Sequence, residues 1–415
     1  MDSNEGFAPV TNVDVLIVGG GMAGGMLAAA LANTELTIAV VDAAQVPEFP
    51  HGDAEVRVSA ITEASFNMLT NVGAWQHLLQ DRLSPYSSMD VWDADGTGRV
   101  TFDAASARAS QLGWIIENSA VTAALYSVCQ TKNVDWRASS KITSIVASSE
   151  GWSATLESGE KIITTLLVGA DGARSQVREK AGIAAAPKDS GHRAIVATIE
   201  TELAHGGCAR QRFMQTGPLA MLPLFGDGHR FSLVWSTSPE LAQALMAMTD
   251  EEFSSALTIE SEGVLGACRE ITKRAAFPIH TLHASEYAGP RLALIGDAAH
   301  VVHPLAGQGI NLGFLDAAVL SEEIHKAMQR GIRIADETVL KRYQRRRRAH
   351  NALMLKSLNG IKHLFAVRDP AIRFMRNVGM SLVNKLPPAK EFFASEALGR
   401  NGDLPQLALR ELKPE

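Results

Sequence analysis

Between positions 297 and 311 the chain concentrates groups able to do chemistry: Asp297, His300, His303, and the run Gly307, Gly309, Ile310 and Asn311, all within RLALIGDAAHVVHPLAGQGINLGFLDAAVL. A carboxylate at 297 offers an acceptor to ligand hydroxyls. Glycines at 307 and 309 let the backbone approach a planar ring with no Cβ in the way. The two histidines invite a metal reading, but their i, i+3 spacing comes with no clustered cysteine or carboxylate set. We therefore expect no metal there; either ring could shuttle a proton. A second glycine cluster lies far upstream, where Gly19, Gly21 and Gly24 form G-x-G-x-x-G. Gly19 permits a sharp turn, Gly21 admits backbone N–H groups to a pyrophosphate, and Gly24 lets a helix lie close on a sheet. Asp42 follows at the distance expected of a carboxylate that accepts from ribose hydroxyls. A third group, Asp171-Gly172 with Ser175 and Arg178 behind it, would alone be read as an ordinary turn.

Each group sits where a strand should end. VDVLIV (13–18) reads as a buried strand, followed by a tight turn and an Ala/Leu-rich helix; LTIAVVDAA gives a second strand ending at Asp42. TTLLVGADG is an apolar strand broken at Asp171, with a helix starting near Ser175. RLALIG is another, with Asp297 at its end and a helix expected to begin near Asn311. A lone G-x-G-x-x-G is weak, but strand, helix and terminal acid together point to dinucleotide binding. Only the first loop is built for a pyrophosphate. Three such loops meeting at one crevice suit an extended FAD, with adenylate at the first and ribityl chain and ring at the later ones.

These motifs carry a family resemblance. GGGMAG, GADGARSQVR and GDAAHVVHPLAGQGINLGFLDA together resemble the single-component flavin-dependent aromatic hydroxylases. EVRVSAITEASFNMLTNVGAW, GWIIENSAVTAALY and LGRNGDLP narrow the resemblance to the ubiquinone-biosynthesis hydroxylases of the UbiH/UbiF/VisC group, nearest those acting on a polyprenylphenol. The resemblance implies an α/β, α+β mixed fold: a Rossmann-like FAD-binding domain, an inserted β-sheet substrate domain and C-terminal helices. It implies that Gly19, Gly21, Gly24 and Asp42 hold the ADP half of FAD, Arg57 the phosphate region and Asn118 the central portion. Asp171 would serve FAD and nicotinamide binding, Asp297 the ribityl hydroxyls, and Gly307 to Asn311 the flavin pyrimidine. The implied reaction uses NAD(P)H or a partner reductant and O2 to hydroxylate a polyprenylated phenol through a flavin hydroperoxide. Met221, Pro223 and Leu224 are candidates for the substrate pocket, with Phe213 and Trp235 behind them; plain core is the commoner fate of such residues, except that Pro223 and its neighbours match a family segment near the flavin. No general base is assigned. A related hydroxylase, epoxidase or reductase, and a catalytically quiet flavin-binding subunit of a biosynthetic complex, remain alternatives.

At 415 residues, 46% hydrophobic and 20% charged, the chain can bury a full core and more than one domain. We expect a discontinuous FAD-binding unit (1–83, 119–188, 284–340), a substrate unit (84–118, 189–283) and a helical region (341–415). A net charge of −6 argues against nucleic acid as a partner. Cys129, Cys208 and Cys268 suggest neither disulfides nor zinc. The polar, acidic N-terminus is unlike a signal peptide, and no apolar run reaches the roughly 18 residues of a membrane span. The expectation is a cytoplasmic protein, free or peripheral at the inner membrane, with homo-oligomers and a ubiquinone-biosynthesis complex left open. DADGTG (93–98) resembles a calcium loop but lacks the downstream Glu, so a hairpin turn is expected. A helix is expected around 239–257. From about 318 the chain reads as helical, with Arg345–Arg348 either a solvated face or a contact for anionic lipid or an acidic partner. The segment from LNGIKHLF to ASEALG mixes apolar residues with Arg and Lys and reads as a packed helix pair, a partner surface or a membrane-facing patch. For a substrate with a polyprenyl tail, 341–398 is the best candidate for membrane contact.

Overall fold

The computed structural model describes residues 9–132, 134–304 and 307–410, and builds them on three sheets. The first sheet forms from nearly continuous apolar runs, the pattern of parallel strands covered on both faces. Its order is β18 (Ala288–Gly289), β19 (Leu292–Leu294), β11 (Lys161–Gly169), β1 (Val10–Val18), β2 (Ile38–Val41), β8 (Asp135–Arg137). Every pairing from β19 to β8 is parallel. Two antiparallel strands, β9 (Ile142–Ala147) and β10 (Trp152–Leu156), extend from β11. Helix α1 (Met22–Leu31) is apolar almost all round, so it must be covered all round. It packs against α3 (Asn118–Gln130) and α7 (Gln308–Gln329) and joins the largest core cluster.

The second sheet runs β20 (His300–Val301), β17 (Ala275–His283), β12 (Lys188–Thr201), β15 (Arg230–Thr237), β14 (Gly217–Pro223), β13 (Cys208–Met214), β5 (Ser88–Asp93), β6 (Arg99–Asp103). Strand β16 (Cys268–Ile271) pairs with β12. One face packs Ile199, Phe231 and Trp235 with Phe253 and Leu257 of α6 (Asp250–Glu260) and Leu245 of α5 (Pro239–Ala247). The single helix expected around 239–257 is thus two helices. Thr249 starts the second with a reciprocal capping box to Glu252, which stops the first at Met248. The third sheet joins β3 (Val58–Ile61), β7 (Gly113–Glu117) and β4 (Ser84–Tyr86). Residues 84–118 are therefore shared: β5 and β6 belong to the second sheet, while β4 and β7 pair with β3.

The remaining helices are α2 (Glu63–Asn71), α4 (Gln176–Lys180), α8 (Glu337–Ala366), α9 (Pro370–Lys385) and α10 (Pro387–Ala397). In place of a terminal helix pair, the chain forms a series of three helices, broken by Pro370 and Pro387 at helix N-termini. Neither reading of Arg345–Arg348 holds for the whole run. Arg347 is buried against Asp316, and Arg346 pairs with Glu322, Glu323 and Asp403; only Arg345 of the four is exposed, Arg348 being half-buried. Among the described residues no helix is long and apolar enough to cross a membrane.

Candidate functional site: a crevice at four strand ends

Sheet register assembles the site. Leu294 pairs with Gly169, Gly169 with Val18, and Val18 with Val41, so four parallel strands end in one row. The next residues of each strand emerge side by side: Asp42 after β2, Gly19 to Gly21 after β1, Asp171 after β11, Asp297 after β19. The carboxyl ends of parallel strands are where open α/β sheets bind ligands.

Each glycine of the first loop has a different physical reason. Gly19 holds φ +103°, and a Cβ there would lie 2.3 Å from the Ala170 carbonyl oxygen. A Cβ on Gly24 would lie 1.9 Å from the oxygen of Gly19, so only glycine lets the helix approach the turn. Around Gly21, by contrast, nothing stands within 4 Å of the Cβ position. Its open side belongs to a crevice of about 500 Å³ lined also by Gly19, Asp42, Lys141, Asp171 and Arg174. Helix α1 opens onto it with no side-chain cap and no acid in its first turn, leaving N–H donors for an anion. Asp42 braces the wall: its carboxylate accepts from the N–H groups of Gly20 (2.5 Å) and Ala44 (2.7 Å) and keeps further lone pairs for a ligand.

Asp171 accepts from the N–H groups of Gln176 (2.7 Å) and Val177 with Oδ2, while its buried Oδ1 has no partner among the described residues. Ser175 caps α4. Arg178 is buried and ties two loops together, donating to the carbonyls of Ala173 and Ala298 at 2.8 Å each. Burial lowers its pKa from the usual arginine value, against the opposing pull of Asp171.

Asp297 makes no hydrogen bond to the described residues. Its side chain reaches open space yet is walled in by protein, as a residue lining a crevice should be. That crowding raises its carboxyl pKa above the ordinary range, opposed by the fields of His300 and Arg57. Its loop is seated tightly: a Cβ on Gly296 would stand 3.0 Å from the Cβ of Ala23 in the first turn of α1, and one on Gly313 would meet the same Ala23 at 3.4 Å. Arg57 is exposed and unpaired among the described residues, and its carbonyl accepts from the N–H of Asn118 (3.0 Å). The Asn118 side chain accepts from Ser59 Oγ at 2.7 Å.

Helix α7 begins at Gln308, earlier than expected, because Gly307 takes a left-handed φ of +62° and turns the chain there. It too lacks a side-chain cap and a first-turn acid. Gly307 lies against Ala60 of β3, a Cβ on Gly309 would make ordinary contact with Val302 at 3.7 Å, and Ile310 is half-buried. Asn311 is spent internally: its amide donates to the carbonyls of Ala60 (2.9 Å) and Gly307, and its oxygen accepts from Ser65 Oγ (2.7 Å) and the Thr62 N–H. It latches the loop rather than offering hydrogen bonds to a ligand.

The pocket candidates separate. Met221 packs in the core beneath α5 and α6; its neighbour Leu222 points the opposite way, into a small cavity beside Ala60, Tyr86 and Met89. Leu224 joins the cluster of Ala60 and Tyr86, and Pro223 is buried. A larger cavity of about 770 Å³ lies at the far end of α1, lined by Asn33, Ser321 and His325, away from the row of strand ends.

Among the described residues no group of three His, Cys, Asp or Glu could hold a metal. His300 is bonded through Nε2 to Asp316 (2.5 Å), whose other oxygen accepts from Arg347 Nε (2.7 Å) and Asn351 (3.0 Å). Gly296 N–H donates to the same carboxylate at 3.1 Å. Burial would raise the Asp316 pKa, but His300 and Arg347 overcome it and bring it down to about 2. Sequence reasoning missed this anchor, because Asp316 and Arg347 look like ordinary helix residues. It also missed Lys141 and Arg174, the latter visible as the one cation in GADGARS. His303 is 1% exposed, both its nitrogens lack partners among the described residues, and its ring lies 6.2 Å from that of His192.

An uncapped helix over an open glycine, an orphaned Asp171 oxygen and a free Asp297 fit a dinucleotide carrying a hydroxylated chain. The comparisons agree. Residues 12–357 match the family model described as FAD binding domain. The chain is 35% identical over 405 residues to the ubiquinone hydroxylase UbiL of Rhodospirillum rubrum, covering 96% of this chain and 93% of that one. It is 34% identical to the 3-demethoxyubiquinol 3-hydroxylase of Escherichia coli, covering 93% and 98%. Among solved structures, p-nitrophenol 4-monooxygenase PnpA of Pseudomonas putida superposes with a TM-score of 0.76 at 19% identity, covering 95% of this chain and 99% of that one, which shows a shared fold. The chain belongs to the FAD-binding family, within the UbiH/UbiF/VisC-type ubiquinone hydroxylases, and is an FAD-dependent aromatic monooxygenase.

Proposed function

We propose that this enzyme hydroxylates the aromatic ring of a polyprenylated phenol in ubiquinone biosynthesis. The observation that carries the cofactor half of this reading is the common row of strand ends, which delivers Gly21, Asp42, Asp171 and Asp297 to one edge of the sheet. The names of the relatives support the substrate half. We assign the FAD-binding unit to 1–83, 119–188 and 284–340, and the substrate unit to 84–118 and 189–283, with β4 and β7 of the 84–118 stretch completing the β3 sheet of the FAD-binding unit. When bound, FAD reduced by NAD(P)H supplies oxygen activated from O2.

The chain's own residues bind, orient and exclude water. Gly21 and the start of α1 take the pyrophosphate together with Arg57, Asp42 takes the ribose, and Asn118 the middle of the cofactor. Asp297 accepts from ribityl hydroxyls. Gly307 and Gly309 bring backbone up to the ring, and the N-terminus of α7 stabilises negative charge on it. The Leu222, Leu224 and Tyr86 cluster offers the apolar wall against which a phenol would lie.

The test incubates purified holoenzyme with NAD(P)H, a short-tailed polyprenylphenol and isotopically heavy O2. Product carrying one heavy oxygen, with substrate-dependent NAD(P)H oxidation, supports the reading. No product from any such phenol would defeat it and favour a flavin-binding subunit. Mass spectrometry of quinone intermediates in cells lacking the protein then identifies the ring position.

A further inference from the structure

Helix α9 is mounted inside out. Its sequence is strongly amphipathic, and such a helix ordinarily buries the apolar stripe. Here the polar stripe is buried. Arg376 is 4% exposed and grips Asp93 with both prongs, Nε to Oδ2 at 2.7 Å and Nη2 to Oδ1 at 2.8 Å, while Nη1 donates to the carbonyls of Leu364 and Phe365. Asn377 donates to Asp93 and accepts from the Gly98 N–H; Arg373 donates to the Asp95 carbonyl. The 93–98 turn between β5 and β6 is thus held by the helix's polar side. The opposite side faces solvent with Ile372, Phe374, Met375, Val378, Leu382 and Leu386, of which Phe374 and Met375 are each 71% exposed. The adjoining α10 also exposes Phe392 and Phe393.

We propose that this outward face of α9 docks on an anionic lipid bilayer, lying in the plane of the headgroups. Charge selects that occupant. The chain is net −6, yet residues 353–398 hold seven Lys or Arg against Asp369, Glu391 and Glu396. Arg376, Arg373 and Lys362 are turned to Asp93, Asp95 and Ser190, which leaves Lys356, Arg368, Lys385 and Lys390. Two of the three acids of the segment are occupied: Asp369 caps α9 by accepting from the Ala371 and Ile372 N–H groups, and Glu396 accepts from Asn401. Exposed Arg368 and Lys385 stand at the two ends of the helix, and Lys385 shares a shallow groove with Phe374 and Leu382. A second copy docking through this face would oppose like charges, whereas anionic headgroups complement them. Sixteen amphipathic residues suit an interfacial helix, not a spanning one. The inference is independent of which phenol is the substrate.

Flotation of the holoenzyme with vesicles tests it. Binding to phosphatidylcholine–phosphatidylglycerol vesicles, weakened by salt and by omitting phosphatidylglycerol, is expected. The triple variant Phe374→Ser, Met375→Ser, Leu382→Ser should bind at least roughly tenfold less while retaining flavin and melting temperature. Lys385→Glu, which leaves the apolar face whole, should lose the preference for anionic vesicles. Failure of the wild type to float, or undiminished flotation of the triple variant, overturns the proposal. So does a wild-type dimer by light scattering that the triple variant converts to monomer, since a second copy would then cover the face.

Discussion

At the scale of single residues, the loop glycines make opposite predictions that separate folding from binding. Gly24→Ala forces a Cβ onto backbone and should lower the melting temperature or abolish expression, because the atom it meets cannot move aside. Gly21→Val enters open space. It should leave apo stability within about 1 kcal/mol while destroying FAD retention. Equal loss of stability in both would mean that Gly21 serves only the turn. Asp297→Ala should weaken FAD binding roughly 5- to 150-fold, the worth of about 1–3 kcal/mol of hydrogen bonding, measured by flavin fluorescence titration. His303 sets a pH dependence. Burial, then the fields of Lys362 and His192, push its pKa from the ordinary 6.5 down to about 4, and His192 is likewise pushed down to about 4. Between those values the unfolded chain binds more protons than the folded one, so the His303 contribution is complete above about pH 6.5 and is lost as pH falls toward 4. The loss is roughly 3 kcal/mol, and His303→Gln should flatten that part of the urea-midpoint profile between pH 4 and 7.

At the scale of elements, the buried Asp316 is the joint between α7, α8 and the Asp297 loop. It accepts at once from Gly296 N–H, Arg347 and Asn351, and it holds His300. Arg347→Met leaves a buried carboxylate short of its cation and should cost about 3–5 kcal/mol by chemical denaturation. Much of the element layer was legible in the sequence. The strand, turn and helix of 13–31 announce themselves through an unbroken apolar run, three spaced glycines and an Ala/Leu stretch, and RLALIG-Asp297 does so in the same way. The Asp316–Arg347 joint was not legible, because its partners sit on different helices and neither lies in a motif. The Arg345–Arg348 run misled because four adjacent arginines point in four directions on a helix, and their fates depend on Glu322, Glu323, Asp316 and Asp403 elsewhere. The amphipathicity of α9 was readable, but which side is buried depends on Asp93, far away in sequence.

At the scale of the whole molecule, the loop after Asp297 is shared property. Gly296 is held by Asp316 and abuts α1, while a few residues on His300 and Val301 pair with β17 as the edge of the second sheet. The two sheets should therefore unfold in one transition, and FAD should raise it as a unit, by about 2.7 kcal/mol at a hundredfold excess over its dissociation constant. Calorimetry that resolves two peaks, with only one moved by FAD, would count against this coupling. The contact of Ala23 with Gly296 and Gly313 also has a historical consequence. A Cβ on Gly296 would stand 3.0 Å from that of Ala23, on a backbone with a left-handed φ of +57°, whereas a Cβ on Gly313 would make ordinary contact at 3.4 Å. The corner is therefore a one-way door for drift: position 313 is open to a small side chain, while position 296 is closed to one by both its backbone and its neighbour.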